Sequence, residues 1–186
     1  MPDNKDNSQR KMEFIEAAEK LFRENGIVDT TVNSIVKELD VAKGLFYYYF
    51  DSKDDVISAI SEKYNEIFNQ MMMDQMNELD YTDKLKRFIS NTTKSFRELD
   101  AKLNNNKVDL IQLSTRSKEE AKAKAISTLS ELLEEGNERE EYMFTHAKYY
   151  ANILISGMLE LIEQNEASNE EIEYIIFDLI ERAGKD

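Results

Sequence analysis

The chain has no cysteine, one proline, five glycines and one histidine in 186 residues. Without cysteine there can be no disulfide framework and no thiolate metal site, and thiols say nothing about redox compartment. With the single proline at Pro2, almost nothing interrupts a helix, so a nearly all-helical protein is expected. The lone His146 cannot build a histidine metal centre. A di-metal helical bundle would need Glu-x-x-His pairs, and Met143 stands where the glutamate would be. There is no glycine-rich phosphate loop. Glu140, Glu141 and Glu160 resemble any acidic helix surface as much as a catalytic pair, so the chain does not read as an enzyme and no cofactor is expected. No apolar run is long enough to span a bilayer. The N-terminus, MPDNKDNSQRK, is polar and of mixed charge, unlike a secretory signal. A cytoplasmic protein without a membrane partner is the expectation.

What is present is an ordinary globular balance: 41% hydrophobic and 33% charged residues, with a net charge of −14. Such acidity argues against nucleic-acid binding, which rests on neutralising phosphates. The acid is unevenly spread, however. Residues 1–50 hold seven Lys/Arg against nine Asp/Glu, a net of −2. Most of the excess lies beyond residue 60.

Apolar periodicity predicts about nine helices. Residues 1–9 read as a disordered arm. The first helix, about Arg10 to Asn25, carries Phe14, Ala17, Ala18, Leu21 and Phe22 on one face and stops at Gly26. Thr30 and Thr31 offer caps for a second helix whose inward stripe is Val32, Ile35, Val36 and Leu39. A sharp turn at Asp40-Val41 leads to a third helix, about Ala42 to Tyr49, with Phe46 inward. Ser52 and Asp55 form a capping box for a long helix from Ser52 to about Met76. Asp80-Tyr81-Thr82 reads as a break, followed by a helix carrying Leu85 to Leu99 and a loop at Asn104-Asn105-Asn106. A short piece from Val108 to Leu113 and a separate helix from Ser117 or Lys118 to Glu135 come next. Glu134 to Glu141 reads as a loop. Met143 to Gln164, and a last helix opened by Ser168-Asn169-Glu170-Glu171, have more apolar surface than one side of a domain needs. Two short helices joined by a tight turn, with a third ahead of them, are the parts of a helix-turn-helix unit.

The stretch from Phe14 to Ile57 resembles the N-terminal domain of the tetracycline-repressor (TetR) family of bacterial transcription regulators. The resemblance rests on Ala17-Ala18, Leu21-Phe22, Gly26, Thr30-Thr31-Val32, Ile35, Val41, Lys43-Gly44, Phe46-Tyr47, Tyr49-Phe50 and Ser52-Lys53. It covers about a quarter of the chain. It implies an all-α protein: an N-terminal arm and helix-turn-helix DNA-binding domain over 1–53, then a helical effector-binding and dimerisation domain over 54–186. Three positions depart from the pattern. Leu39-Asp40 replaces the usual Ala-Gly of the turn. Ala42 replaces a capping Ser or Thr, a loss of roughly 1 kcal/mol. Leu45 occupies a variable, base-facing position and cannot hydrogen-bond.

By this resemblance double-stranded DNA, a palindromic operator, is the expected partner of a homodimeric repressor. Lys43 would contact a phosphate or a guanine edge, unless it is simply solvated. Gly44 would let the helix approach the groove, or else permit tight packing inside the protein. Tyr47 and Tyr48 would touch phosphates or thymine methyls; burial is the other reading for Tyr47. Tyr49 is a wedge with a phosphate contact open to it. Lys53, in the first turn of the long helix, would bind an anion. Thr31, Asn33, Ser34 and Lys37 would add phosphate contacts. Arg10 and Lys11 reach the backbone or belong to a solvated tail.

Met72, Met76, Phe88, Phe96, Tyr142, Phe144 and Tyr149 are candidates to line a pocket for a small-molecule effector, with plain core the competing reading. Ile153, Gly157, Leu161, Ile172, Ile176, Leu179 and Ile180 are candidates for a dimer interface. An alternative of another class is an acidic helical interaction module with a vestigial helix-turn-helix and no effector.

Overall fold

A computed structural model describes residues 4–104 and 110–185. Every regular element among them is helical: α1 (Asn4–Asn25), α2 (Val32–Glu38), α3 (Lys43–Tyr49), α4 (Lys53–Met72), α5 (Tyr81–Asn104), α6 (Ile111–Glu138), α7 (Ala147–Gln164) and α8 (Asn169–Lys185). The all-α expectation holds, with eight helices described where about nine were expected. Three differences shape the layout, one being that α6 runs on to Glu138, through most of the loop expected from Glu134 to Glu141. α1 begins at Asn4, so most of the expected arm is helix. The expected pieces around Leu113 and Ser117 are one helix, α6. Leu113, Ser117, Ala121 and Ala125 lie four residues apart and are all buried, so the stripe runs unbroken through the expected break. Expectations that fall on Asn105, Asn106 and Val108 lie outside the described residues.

The chain forms two compact units, one from Met1–Tyr64 with Leu103–Ser117, the other from Asn65–Lys102 with Lys118–Asp186. The first is built on aromatic packing. Phe14 of α1 meets Phe46 of α3 edge-on, with ring centroids 5.8 Å apart, and also contacts Tyr49 and Phe50. Phe14, Phe22, Phe46, Ile35, Ile57 and Ile60 are shut off from solvent.

The first half of α4 is tied to α1 and the following loop at two places. At its start, Lys53 Nζ donates to the carbonyls of Thr30, at 2.9 Å, and of Ile27. Eleven residues on, the Tyr64 hydroxyl donates to Glu19 and accepts from Arg23, while Lys63 lies 3.0 Å from the other Glu19 oxygen. The first unit thus reaches past residue 53, where the helix-turn-helix itself ends. Further along, the buried hydroxyls of Ser61 and Ser117 are 3.0 Å apart and join α4 to α6.

In the second unit Asp80, expected in a break, caps α5 by accepting from the Asp83 backbone at 2.9 Å. Ser168 and Glu171 cap α8 reciprocally. An aromatic cluster of Tyr81, Tyr142, Phe144 and Tyr150 gathers α5, the α6–α7 loop and α7. Two glycines make room for it: a β-carbon on Gly136 would meet the Tyr81 hydroxyl at 2.3 Å, and one on Gly184 would meet Tyr142 at 2.4 Å. Burial pushes the Tyr81 hydroxyl up to about 12, with the nearby Glu135 carboxylate adding to the shift.

Burial works to raise the pKa of Glu19, but hydrogen bonds from Tyr64 and Lys63 outweigh it and hold the carboxyl below its ordinary range. A lowered carboxyl contributes stability that is present above its unfolded value and disappears as pH falls through the folded one. Glu19→Gln is therefore expected to cost about 1–2 kcal/mol at neutral pH and to lose less than the parent chain below the ordinary glutamate range. Thermal melts across the acid range check both parts.

Candidate nucleic-acid interface

The interface is built from three short segments of the first unit. Thr31 caps α2, its side chain accepting from the Ser34 backbone at 3.1 Å while Ser34 Oγ accepts from the Thr31 backbone at 3.0 Å. This box uses the two hydroxyls proposed from sequence for phosphates. Asn33 and Lys37 remain on the solvent side. Glu38, the acid closest to them on α2, is paired with Lys20 of α1 at 2.6 Å.

The turn into α3 is closed by a Schellman motif. The backbone N–H of Val41 donates to the Val36 carbonyl at 3.0 Å, and that of Asp40 to Lys37 at 3.2 Å. This requires Asp40 to adopt φ 52°, which aspartate tolerates better than most residues. The departure at Leu39-Asp40 thus leaves the turn intact. The departure at Ala42 has the effect expected of it: Ala42 is the N-cap of α3 and makes no side-chain cap bond.

α3 turns Phe46 inward and Lys43, Gly44, Tyr47 and Tyr48 outward. Leu45 and Tyr49 are half-buried at its flanks. Tyr47 is 49% exposed and Tyr48 66% exposed, so burial does not explain either ring. Gly44 has no atom within 4 Å of where a β-carbon would stand, so packing does not require it. The Lys43 ammonium lies 5.9 Å from the centre of the Tyr47 ring, one helical turn away.

Two sequence expectations change. Lys53 does not project from α4 toward an anion; its ammonium is spent on the carbonyls of Ile27 and Thr30, closing the end of the α1–α2 loop. Tyr49 donates its hydroxyl to Asn7 at 2.7 Å, and Asn7 in turn approaches the Tyr48 hydroxyl at 3.4 Å. Asn7 lies in the stretch that the sequence reads as a disordered arm. Its signal was its spacing, seven residues ahead of Phe14 on the same helical face. Arg10 pairs with Glu13 at 2.6 Å, and Lys11 stands 5.5 Å from the Phe50 ring.

The other candidates fall in the second unit. Met72, Met76, Phe88, Phe96, Tyr142 and Phe144 are buried, while Tyr149 is 65% exposed. Ring contacts divide the aromatics into Phe96 with Phe68 and Tyr142 with Phe144. Two surface clefts open in this unit, one of about 540 Å³ lined by Ile126, Glu131, Lys148 and Asn152, the other of about 430 Å³ lined by Met71, Asp74, Arg87 and Lys94. Neither is lined by any of the seven residues named for a pocket.

Of the interface candidates, Ile153, Gly157 and Leu179 are exposed and Leu161 is half-buried. Ile172, Ile176 and Ile180 are instead buried within the single chain, because their four-residue spacing is the core stripe of α8. The exposed apolar side chains of α8 are Tyr174, Ile175 and Leu179.

Two helices joined by a Schellman turn, braced by a third and presenting an exposed lysine-tyrosine face, form a helix-turn-helix unit. Residues 14–60 match the sequence model of the family described as "Bacterial regulatory proteins, tetR family". Over this stretch, about a quarter of its length, the chain is similar to that family. Among its relatives, the HTH-type transcriptional regulator HbdR of Aromatoleum sp. (strain CIB) is 45% identical over 49 residues, 26% of this chain and 21% of that protein. The fatty acid metabolism regulator protein of Bacillus subtilis (strain 168) is 35% identical over 80 residues, 42% of this chain and 41% of its own length. The chain thus spans between a fifth and two fifths of these curated relatives. The solved structure of the fatty acid degradation regulator FadR from Bacillus halodurans shares the fold, with a TM-score of 0.63 at 22% identity over 92% of this chain and 94% of that one.

Because Gly44 has open space around it, Gly44→Ala is expected to stabilise the free protein by about 0.5–1 kcal/mol through helix propensity. The same methyl on the outward face should weaken DNA binding. A thermal melt and a titration with operator duplex, read together, separate groove approach from internal packing.

Proposed function

We propose that this protein is a sequence-specific transcription regulator, a homodimeric repressor that binds a palindromic operator and releases it on binding a small molecule. The observation that carries the reading is the outward face of α3, where Lys43, Gly44, Tyr47 and Tyr48 stay exposed although two of them are large aromatics. Exposed aromatics beside a glycine are wasteful for a free surface and suitable for a groove. The same face argues against a vestigial helix-turn-helix. In the cell the protein works in the cytoplasm, where its operator is.

A second copy of the chain is the proposed occupant of the exposed apolar face on α7 and α8. Tyr149, Ile153 and Gly157 repeat every four residues along α7, and Tyr174, Ile175 and Leu179 supply the matching apolar surface of α8. Two recognition helices related by a two-fold axis would enter major grooves one helical turn, about 34–36 Å, apart. Pairing two sites also answers the acidity of the chain, since each domain has few cations to offer DNA.

We place the effector in the second unit, in the interior around Met72, Met76, Phe88 and Phe96, which are buried and include two readily rearranged methionines. An effector acts only by favouring one conformation over another, so its site must differ between the DNA-bound and released states. Two of the relatives are named as regulators of fatty-acid metabolism or degradation, which makes acyl compounds the first class to screen by thermal shift.

Operator binding measured between 50 and 200 mM salt should fall with a linear log–log slope. Lys37→Ala and Lys43→Ala should each reduce that slope by about 1; slopes unchanged by both would remove these lysines from the interface. Ile153→Glu should convert the dimer to a folded monomer by analytical ultracentrifugation and lower operator affinity at least tenfold. A dimer that persists would relocate the interface.

A further inference from the structure

The chemistry that α3 offers to bases is unusually narrow. Its sequence is Lys-Gly-Leu-Phe-Tyr-Tyr-Tyr. It has no Arg, Asn, Gln, Asp or Glu, the side chains that read base pairs through hydrogen bonds to their edges. Tyr49 donates its hydroxyl to Asn7, while the exposed Tyr48 oxygen accepts a long bond from the Asn7 amide. The polar groups left to the outward face of α3 are the Lys43 ammonium and the hydroxyls at the tips of Tyr47 and Tyr48; Lys43 and Tyr47 share one side of the helix, four residues apart, with the ammonium against the Tyr47 ring.

The other side of that face is carbon. Gly44, Leu45 and Tyr48 are neighbours there, Tyr48 being four residues from Gly44 and three from Leu45. The Tyr48 ring is 66% exposed and Leu45 half-exposed. The open space at Gly44 lets the backbone itself approach what lies opposite. In the major groove only one base carries an apolar group on its edge: thymine, through its 5-methyl.

We propose that this protein selects its operator chiefly through thymine 5-methyl groups, which dock on the surface formed by Gly44, Leu45 and Tyr48, while Lys43 makes the polar base contact, to guanine. The inference rests on the DNA-binding reading above and adds what is read. Each half-site should then hold at least two thymines opposite the carbon surface and a guanine opposite Lys43. Leu45, the residue that departs from the hydrogen-bonding types, becomes a specificity determinant rather than a defect.

The test uses the full chain and an operator selected from random duplexes. Each thymine of the half-site is replaced in turn by deoxyuridine, which removes the methyl and leaves base pairing unchanged. Affinity is read by fluorescence anisotropy at constant salt. At two or more positions the loss should be about fourfold for each methyl, the worth of one buried carbon group. Leu45→Ala should abolish the uracil effect at one of these positions in a double-mutant cycle. The uracil duplexes need no protein variant, so the test stands even where Leu45→Ala folds poorly. An enriched operator bound equally well with uracil throughout, or one without thymine in its half-sites, would overturn the proposal and leave DNA binding intact. A selection that enriches no sequence would overturn the DNA-binding reading itself.

Discussion

The packing of Phe46 against Phe14 is the contact on which the rest of the site depends. α3 is seven residues long, contains a glycine and has no side-chain cap at its start. A helix of that length has no independent stability in water. It exists because Phe46, fully buried, and Phe50 anchor it on α1. Those two anchors also determine which way the helix faces. With Phe46 inward, Lys43, Gly44, Tyr47 and Tyr48 have no direction left but outward. The outward lysine-tyrosine face of α3 is in this sense a by-product of where one phenylalanine is buried.

The supports around this contact are mostly polar and each closes a specific gap. The Schellman turn satisfies the end of α2 at the cost of a left-handed aspartate. Lys53 satisfies two carbonyls of the α1–α2 loop. Glu19, Arg23, Lys63 and Tyr64 form a half-buried knot in which each charge has an opposite or a hydroxyl beside it. Such arrangements add little as isolated surface pairs, but here they fix the angle of α4 to α1. Asn7 plays the same part from the other side, holding two of the three tyrosines of α3. Tyr49, whose hydroxyl is spent on Asn7, has its ring held in a defined orientation.

Much of this was legible in the residues. The helix-turn-helix, its inward stripe, the capping boxes at Ser52 and Ser168 and the missing cap at Ala42 all follow from local chemistry, which depends on neighbours three or four positions away. The roles of Lys53 and Tyr49 were not legible. Both side chains are long and polar at positions where solvent and a carbonyl are equally near in sequence terms, and only the path of the α1–α2 loop and of α1 itself brought the carbonyls and Asn7 within reach. The same holds for α8: an apolar helix with residues on more than one face does not reveal which stripe belongs to its own core.

The sequence by itself determined the class of fold, the position of the DNA-binding unit and the types of side chain that α3 can offer. These are set by periodicity, by the near absence of proline and by the residues at the turn, all of them short-range terms. The tertiary structure decided which of those side chains remain available. Burial took Ile172, Ile176 and Ile180 into the core, hydrogen bonds across 23 to 42 positions claimed Lys53 and Tyr49, and Gly44 was left with open space around it. Availability is a property of distant partners, and no local pattern encodes where a distant partner will stand.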